Sequence, residues 1–316
     1  MALKPAKVHA QQSVGEALRA LLLKQLEALA ANEDAARAPT NPEGVHQMRV
    51  ALRRMRSALR LFRPALSRAL EQRWAEDLRW IAARLGAARD LDVFIHDSLE
   101  PTAGCLPLPG HAALGALAER RRRRAYRTVN QLLGSARYAR FKQNFRAWLT
   151  ASGGWAGVLP VKRRARLQEN IMPFARQCLT RQARKIATMG ARLDRDSQPA
   201  LHALRIQCKR LRYAAEFFAP LFQGMDDFID HLKALQDQLG VMNDTAVMRH
   251  LLDDLLAGRK NPALERYASA LIGWRAHHYY AARDRFDECW RQFAAARQPW
   301  RARLAVVKRK PISAEH

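Results

Sequence analysis

Apolar residues recur at three- and four-residue intervals along almost the whole chain, and no segment shows the strict alternation of a half-buried strand, so the pattern predicts an all-α fold. One predicted helix carries more than an apolar face. Drawn at about 100° per residue, Met48, Leu52, Met55, Leu59 and Phe62 form its apolar back, while His46, Arg49, Arg53, Arg56 and Arg60 fall within roughly an 80° arc on the other side. The same layout returns in a second segment, where Leu204, Cys208, Leu211, Ala215 and Phe218 form the back and His202, Arg205, Lys209 and Arg212 the basic arc. Burial alone preserves an apolar face and lets the charges drift. Here the charges keep register as well.

The duplication extends beyond these helices. Pro64 corresponds to Pro220, Leu85-Gly86 with Arg89-Asp90 to Leu239-Gly240 with Asn243-Asp244, and Arg137-Tyr138-Ala139 to Arg266-Tyr267-Ala268. Both Leu-Gly motifs read as turns. Breaks at Pro39–Gly44 and Ser197–Pro199 start the two basic helices, and further loops are expected at Pro101–Gly110 and Ser152–Pro160. The last of these is the seam between an N-terminal repeat, residues 1–150, and a C-terminal repeat, residues 160–316. Together the repeats are expected to make one domain over 1–316, as two pseudo-two-fold-related bundles of about four helices each. Basic helices meeting near that axis would turn their arcs toward a central groove or pore.

Charge narrows the class of partner. Lys plus Arg number 55 against 29 Asp plus Glu, a formal charge of +26. Self-repulsion on that scale opposes compaction unless a polyanion relieves it, so nucleic acid, an acidic membrane or a phosphate polymer is expected and a small neutral substrate is not. The four cysteines, Cys105, Cys178, Cys208 and Cys289, match no metal-ligand spacing and read as reduced thiols. Lys4 and Lys7 precede no apolar leader, and no run approaches the roughly 20 residues of a bilayer span. A soluble cytoplasmic protein is the expectation. There is no Gly-rich phosphate loop, nucleophile elbow or acid–base pair, so neither catalytic residue, metal nor cofactor is predicted.

His46-x-x-Arg49-x-x-x-Arg53-Arg54-x-Arg56, His202-x-x-Arg205-x-x-x-Lys209-Arg210-x-Arg212-Tyr213, the Leu-Gly motifs and the Arg-Tyr helices resemble the CHAD family, named for a conserved histidine in an α-helical domain. The resemblance runs from about residue 10 to about residue 300. It implies two four-helix bundles around a basic groove or pore that binds inorganic polyphosphate, often at polyphosphate granules. Some relatives carry a triphosphate-tunnel enzyme domain in front. The stretch before the first repeat is expected to be too short for one, so binding without catalysis is implied.

Polyphosphate carries about one charge per phosphate and no bases, so its receptor needs cationic donors spaced along a groove, with arginine favoured for its planar fork. The predicted polyphosphate-binding residues are His46, Arg49, Arg53, Arg54, Arg56, Arg60, His202, Arg205, Lys209, Arg210, Arg212 and Tyr213, with Lys142 and Lys185 as outlying candidates. From His46 to Arg60 the arc spans about 21 Å. Both histidines lie near helix starts, where the dipole favours neutral donors in the free protein and bound phosphate favours protonation. Arg54 and Arg210 lie off the arcs and read equally as salt-bridge partners. Tyr213 reads as a phosphate donor or a packing residue, and Glu216 stands where the repeat calls for Arg60. Asp90 and Asp244 read as helix N-caps or as salt-bridge partners that aim a stripe arginine, rather than as a metal pair. The Arg120–Arg124 run and the Lys308–Lys310 tail read as solvated surface, and the seven tryptophans as core or interface. Nucleic acid remains the alternative partner for the same basic surface.

Overall fold

The computed structural model describes residues 8–151 and 159–302, and among these it is helical without a strand; the one β-type pairing is an isolated bridge between Ser13 and Asn170. Residues 8–151 hold α1 (Val14–Ala31), α2 (Glu33–Arg37), α3 (Pro42–Leu61), α4 (Arg68–Phe94), α5 (His111–Leu133) and α6 (Ala136–Thr150). Residues 159–302 hold α7 (Val161–Gln168), α8 (Ile171–Ala191), α9 (Gln198–Phe218), α10 (Met225–Leu256) and α11 (Pro262–Ala295). That is more segments than four per half, partly because the short α2 and α7 precede the longer helices. Most of the expected seam loop, with Trp155, and the Lys308–Lys310 tail lie outside the described residues.

Local sequence sets the helix starts. A reciprocal Ser13–Glu16 box opens α1, with Ser13 N–H donating to Glu16 Oε2 at 2.8 Å. Ser197 Oγ accepts from Ala200 N–H at 3.3 Å to open α9, with Pro199 in its first turn. Pro42 is the first residue of α3. Two positions later Gly44 is obligatory, since a Cβ there would stand 2.3 Å from the backbone of Ala35 and Ala36 on α2.

The predicted apolar backs are the core. Met48, Leu52, Met55, Leu59 and Phe62 are at most 1% exposed, as are Leu204, Cys208, Leu211, Ala215 and Phe218. Burying each large side chain contributes about 1.5–3 kcal/mol, which fixes the helix rotation and leaves the basic arcs as the outward faces of α3 and α9. One core cluster takes side chains from both halves, from Val8 to Trp300. A smaller one joins Phe94, Leu99 and Leu114 to Leu252, Tyr267 and Leu271 of the α10–α11 hairpin.

Two expectations change. Gly86 and Gly240 sit inside α4 and α10 rather than in turns. Their intrinsic helix cost, about 1 kcal/mol each, is overridden by the packing of α4 on α3 and of α10 on α9. The Arg120–Arg124 run is also not uniformly solvated. Arg122 turns inward, donating from Nε to Asp92 Oδ1 at 2.7 Å, from Nη1 to Glu119 Oε2 at 3.0 Å and from Nη2 to the Pro39 carbonyl. Asp92 is 4% exposed and also accepts from Tyr126 Oη at 2.9 Å. Arg122→Lys keeps the charge but loses the fork, and we expect it to lower stability by about 1–2 kcal/mol in thermal denaturation. Arg121→Lys, at an exposed neighbour, should leave the midpoint unchanged.

Candidate functional site

The basic helices α3 and α9 pack against each other, and their contact is built from the motif residues themselves. Glu216 of α9 accepts from Arg54 Nη1 at 2.7 Å across the seam and from Arg212 Nη1 at 2.9 Å along its own helix. The Tyr213 ring lies between guanidinium groups, 5.1 Å from Arg212, 5.6 Å from Arg53 and 5.9 Å from Arg54. A carboxylate at the Arg60-equivalent position thus neutralises a crowded crossing of arginines. Without it the two arcs would repel.

Three adjoining depressions run over this crossing. The first, of 350 Å³ between α3, α4 and α9, is lined by Arg53, Arg56, Arg60, Arg79, Lys209, Arg210 and Tyr213, with Glu71 as its acid. The second, of 510 Å³, shares Arg60 and Arg210 and adds Arg63, Arg181 and Lys185, bringing in α8. The third, of 450 Å³ between α9 and α10, shares Lys209 and adds Arg205, Arg212 and Lys233, with Asp237 and Asp244 on its wall. Shared residues make the three one trough with cations along its length.

Each arc is braced by the helix that carries the matching Leu-Gly motif. Arg49 Nη1 donates to the Ala82 carbonyl at 3.2 Å, and a Cβ at Gly86 would lie 3.5 Å from that nitrogen. Arg205 lies 3.5 Å from Asp244, and Arg212 Nε donates to Gln236 at 3.1 Å. Asp90 is placed to act electrostatically on Arg49 and Arg89; burial raises its pKa and those arginines oppose the rise. Both aspartates therefore sit beside stripe arginines.

His46 is half-buried. Its pKa is held below the ordinary value by burial first, then by Arg89, with Arg53 and Arg49 adding to the effect against Glu43. The expected neutral state thus has a cause other than the helix dipole. His202 is exposed, and its Nδ1 shares a 2.7 Å hydrogen bond with Asn243 Oδ1. With the amide oxygen accepting, Nδ1 carries the proton and only Nε2 remains for another partner. Burial also lowers the pKa of Lys209, to about 8, with Arg205 and Arg53 the next causes.

Arg56 and Arg60 are exposed at the first depression, and Arg210 bonds Gln207 at 3.2 Å on the rim shared with the second. Lys142 is not brought into the trough. It lies on α6 against Glu33, at 2.7 and 2.9 Å, because that acid on α2 captures its ammonium group. Arg63, Arg79, Arg181 and Lys233 are trough residues that the repeat did not reveal. Arg79, Arg181 and Lys233 lie on helices without a copy of the basic motif and Arg63 lies just past the end of α3, so only their placement in the trough shows them.

The family model for the CHAD domain matches residues 20–253. Among solved structures, the CHAD domain from the plant Ricinus communis is 28% identical, with a TM-score of 0.79 over 95% of this chain and 98% of that one. PptA from Streptomyces chartreusis is 18% identical, with a TM-score of 0.66 over 89% of this chain and 100% of that one, a likeness of fold alone. No curated protein matches the sequence.

Proposed function

This chain belongs to the CHAD domain family, and from that premise we propose that it binds inorganic polyphosphate along the trough over the α3–α9 crossing. The observation that carries the reading is that both copies of the basic motif contribute to one continuous cationic surface, with α8 and α10 extending it at its sides. Arginine forks supply paired donors to phosphate oxygens, and recessing them between helices reduces screening by solvent. The protein acts as a receptor that turns nothing over. In the cell it associates with polyphosphate granules in the cytoplasm, where granule components are its neighbours. No helix among the described residues is long and apolar enough to cross a membrane.

The test is calorimetric titration with long-chain polyphosphate at two salt concentrations, with DNA of equal charge as competitor. We expect submicromolar binding that weakens steeply with salt, as counterion release requires, and that DNA displaces poorly. Equal affinity for DNA would make the trough a general nucleic-acid surface. Phosphate release in the presence of Mg²⁺ would replace the receptor by an enzyme.

A further inference from the structure

Within the trough, one wall holds buried donors that the protein itself does not use. Tyr213 is 3% exposed, and its hydroxyl has no hydrogen-bond partner. The other buried tyrosines are all engaged: Tyr126 with Asp92 at 2.9 Å, Tyr138 with Glu33 at 2.8 Å and Tyr267 with Thr102 at 3.0 Å. Arg53 Nε is likewise buried and unpartnered, and it lines the same 350 Å³ depression as Tyr213 and Lys209. Arg205 Nε repeats the condition in the adjoining depression. Glu71, the acid of the first depression, stands 3.8 Å from Arg63 Nε. Burying a donor without an acceptor costs about 1–3 kcal/mol, so grouped orphans mark the place where a ligand's oxygens belong.

Resting on the proposed polyphosphate reading, we infer that Tyr213 Oη, Arg53 Nε and Lys209 Nζ form a desolvated subsite that selects directly linked phosphates over a sugar–phosphate backbone. The three residues line one small cavity, with Tyr213 Oη and Arg53 Nε buried in its wall. Phosphates joined through a single oxygen present acceptors densely enough to serve several of these donors together. In a nucleic acid a sugar separates successive phosphates, about 3.4 Å of axial rise per charge on each strand of a duplex, and its carbons would have to enter among arginines. The outer arginines supply affinity for any polyanion. The buried donors distinguish one polymer from another.

Tyr213→Phe isolates the idea, since it removes an oxygen and no charge. An unbonded buried hydroxyl destabilises the free protein, so the variant should melt at a higher temperature than wild type. Its affinity for short-chain polyphosphate should nevertheless fall by about 10- to 100-fold, the range for hydrogen bonds to charged groups, while DNA affinity stays the same. Arg53→Lys keeps the charge, loses Nε, and should show the same selective loss. Unchanged polyphosphate affinity in both variants overturns the subsite and leaves the proposed function standing. A lower melting temperature for Tyr213→Phe with equal losses for both polymers assigns the hydroxyl to structure and overturns it too. A wild-type protein that does not bind polyphosphate removes the proposed function itself.

Discussion

Reversing Arg49, Arg53, Arg205 and Lys209 to glutamate should abolish polyphosphate binding, a loss of at least about 1,000-fold, while the far-ultraviolet helical signal persists. Each of these cations is half-buried; Arg53, Arg205 and Lys209 line the trough, Arg49 lies one helical turn before Arg53 on the same arc, and each charge-assisted contact to phosphate is worth about 1.5–3 kcal/mol. The reversal changes the local charge by two per site and repels the polymer from both arcs. It also sets new carboxylates near Asp90 and Asp244, so some stability is lost with the binding. Replacing the same four residues by glutamine separates the effects: the fold recovers and binding remains weak. Reversing Arg120, Arg121, Arg123 and Arg124 makes a control of equal charge change. Those side chains are exposed on α5, outside the trough, and should matter only through the long-range field, which salt screens. Submicromolar affinity in the quadruple trough variant, measured by calorimetry, would refute the site.

Much of this arrangement was legible before any coordinates because helical geometry turns spacing into facing. The predicted backs of α3 and α9 are buried without exception, and their burial forces the registered cations outward. The acidic residues at Asp90 and Asp244 were legible for the same reason, as repeats of one motif beside the repeated arc. What spacing cannot show is which acid a given cation will find. Arg54 and Arg212 meet on Glu216, Lys142 is held by Glu33, and Arg122 is held by Asp92. Each pairing except the Arg212–Glu216 one joins different helices, so it depends on packing and not on any local pattern. The Leu-Gly motifs illustrate the opposite error. Glycine weakens a helix locally, but α4 and α10 run through it because their flanking turns are packed on the core. Glu216 was the most informative departure from the repeat. An arginine there would add another cation to the seam, where a carboxylate instead bonds Arg54 and Arg212 and ties α9 to α3.

Polyphosphate affinity should fall by about 30-fold between pH 7 and pH 9.5, and Lys209 should account for most of the fall. In the free protein its pKa is pushed down to about 8, mainly by burial, so a growing fraction of the side chain is neutral above that pH. A polyanion beside it favours the ammonium form and returns the pKa toward the ordinary lysine value. The complex then holds more protons than the free protein from about pH 8 to about pH 10, which means proton uptake on binding and weaker binding as pH rises. The inner phosphates of a long chain are strong acids, so the ligand's charge is nearly constant across this window. On the acid side His46 acts in the same direction: its pKa lies below the ordinary value in the free protein, and phosphate would raise it, so affinity climbs further as the pH falls. Lys209→Arg should hold its affinity at pH 9.5, because a guanidinium stays charged there. Lys209→Met should bind weakly at every pH with a flat alkaline profile. It should also be more stable than wild type at pH 7, because the folded protein then no longer has to keep a disfavoured charge half-buried among arginines. Calorimetry in two buffers of different ionisation enthalpy reads the proton uptake directly, and an unchanged alkaline slope in Lys209→Met would move the titrating group elsewhere in the trough.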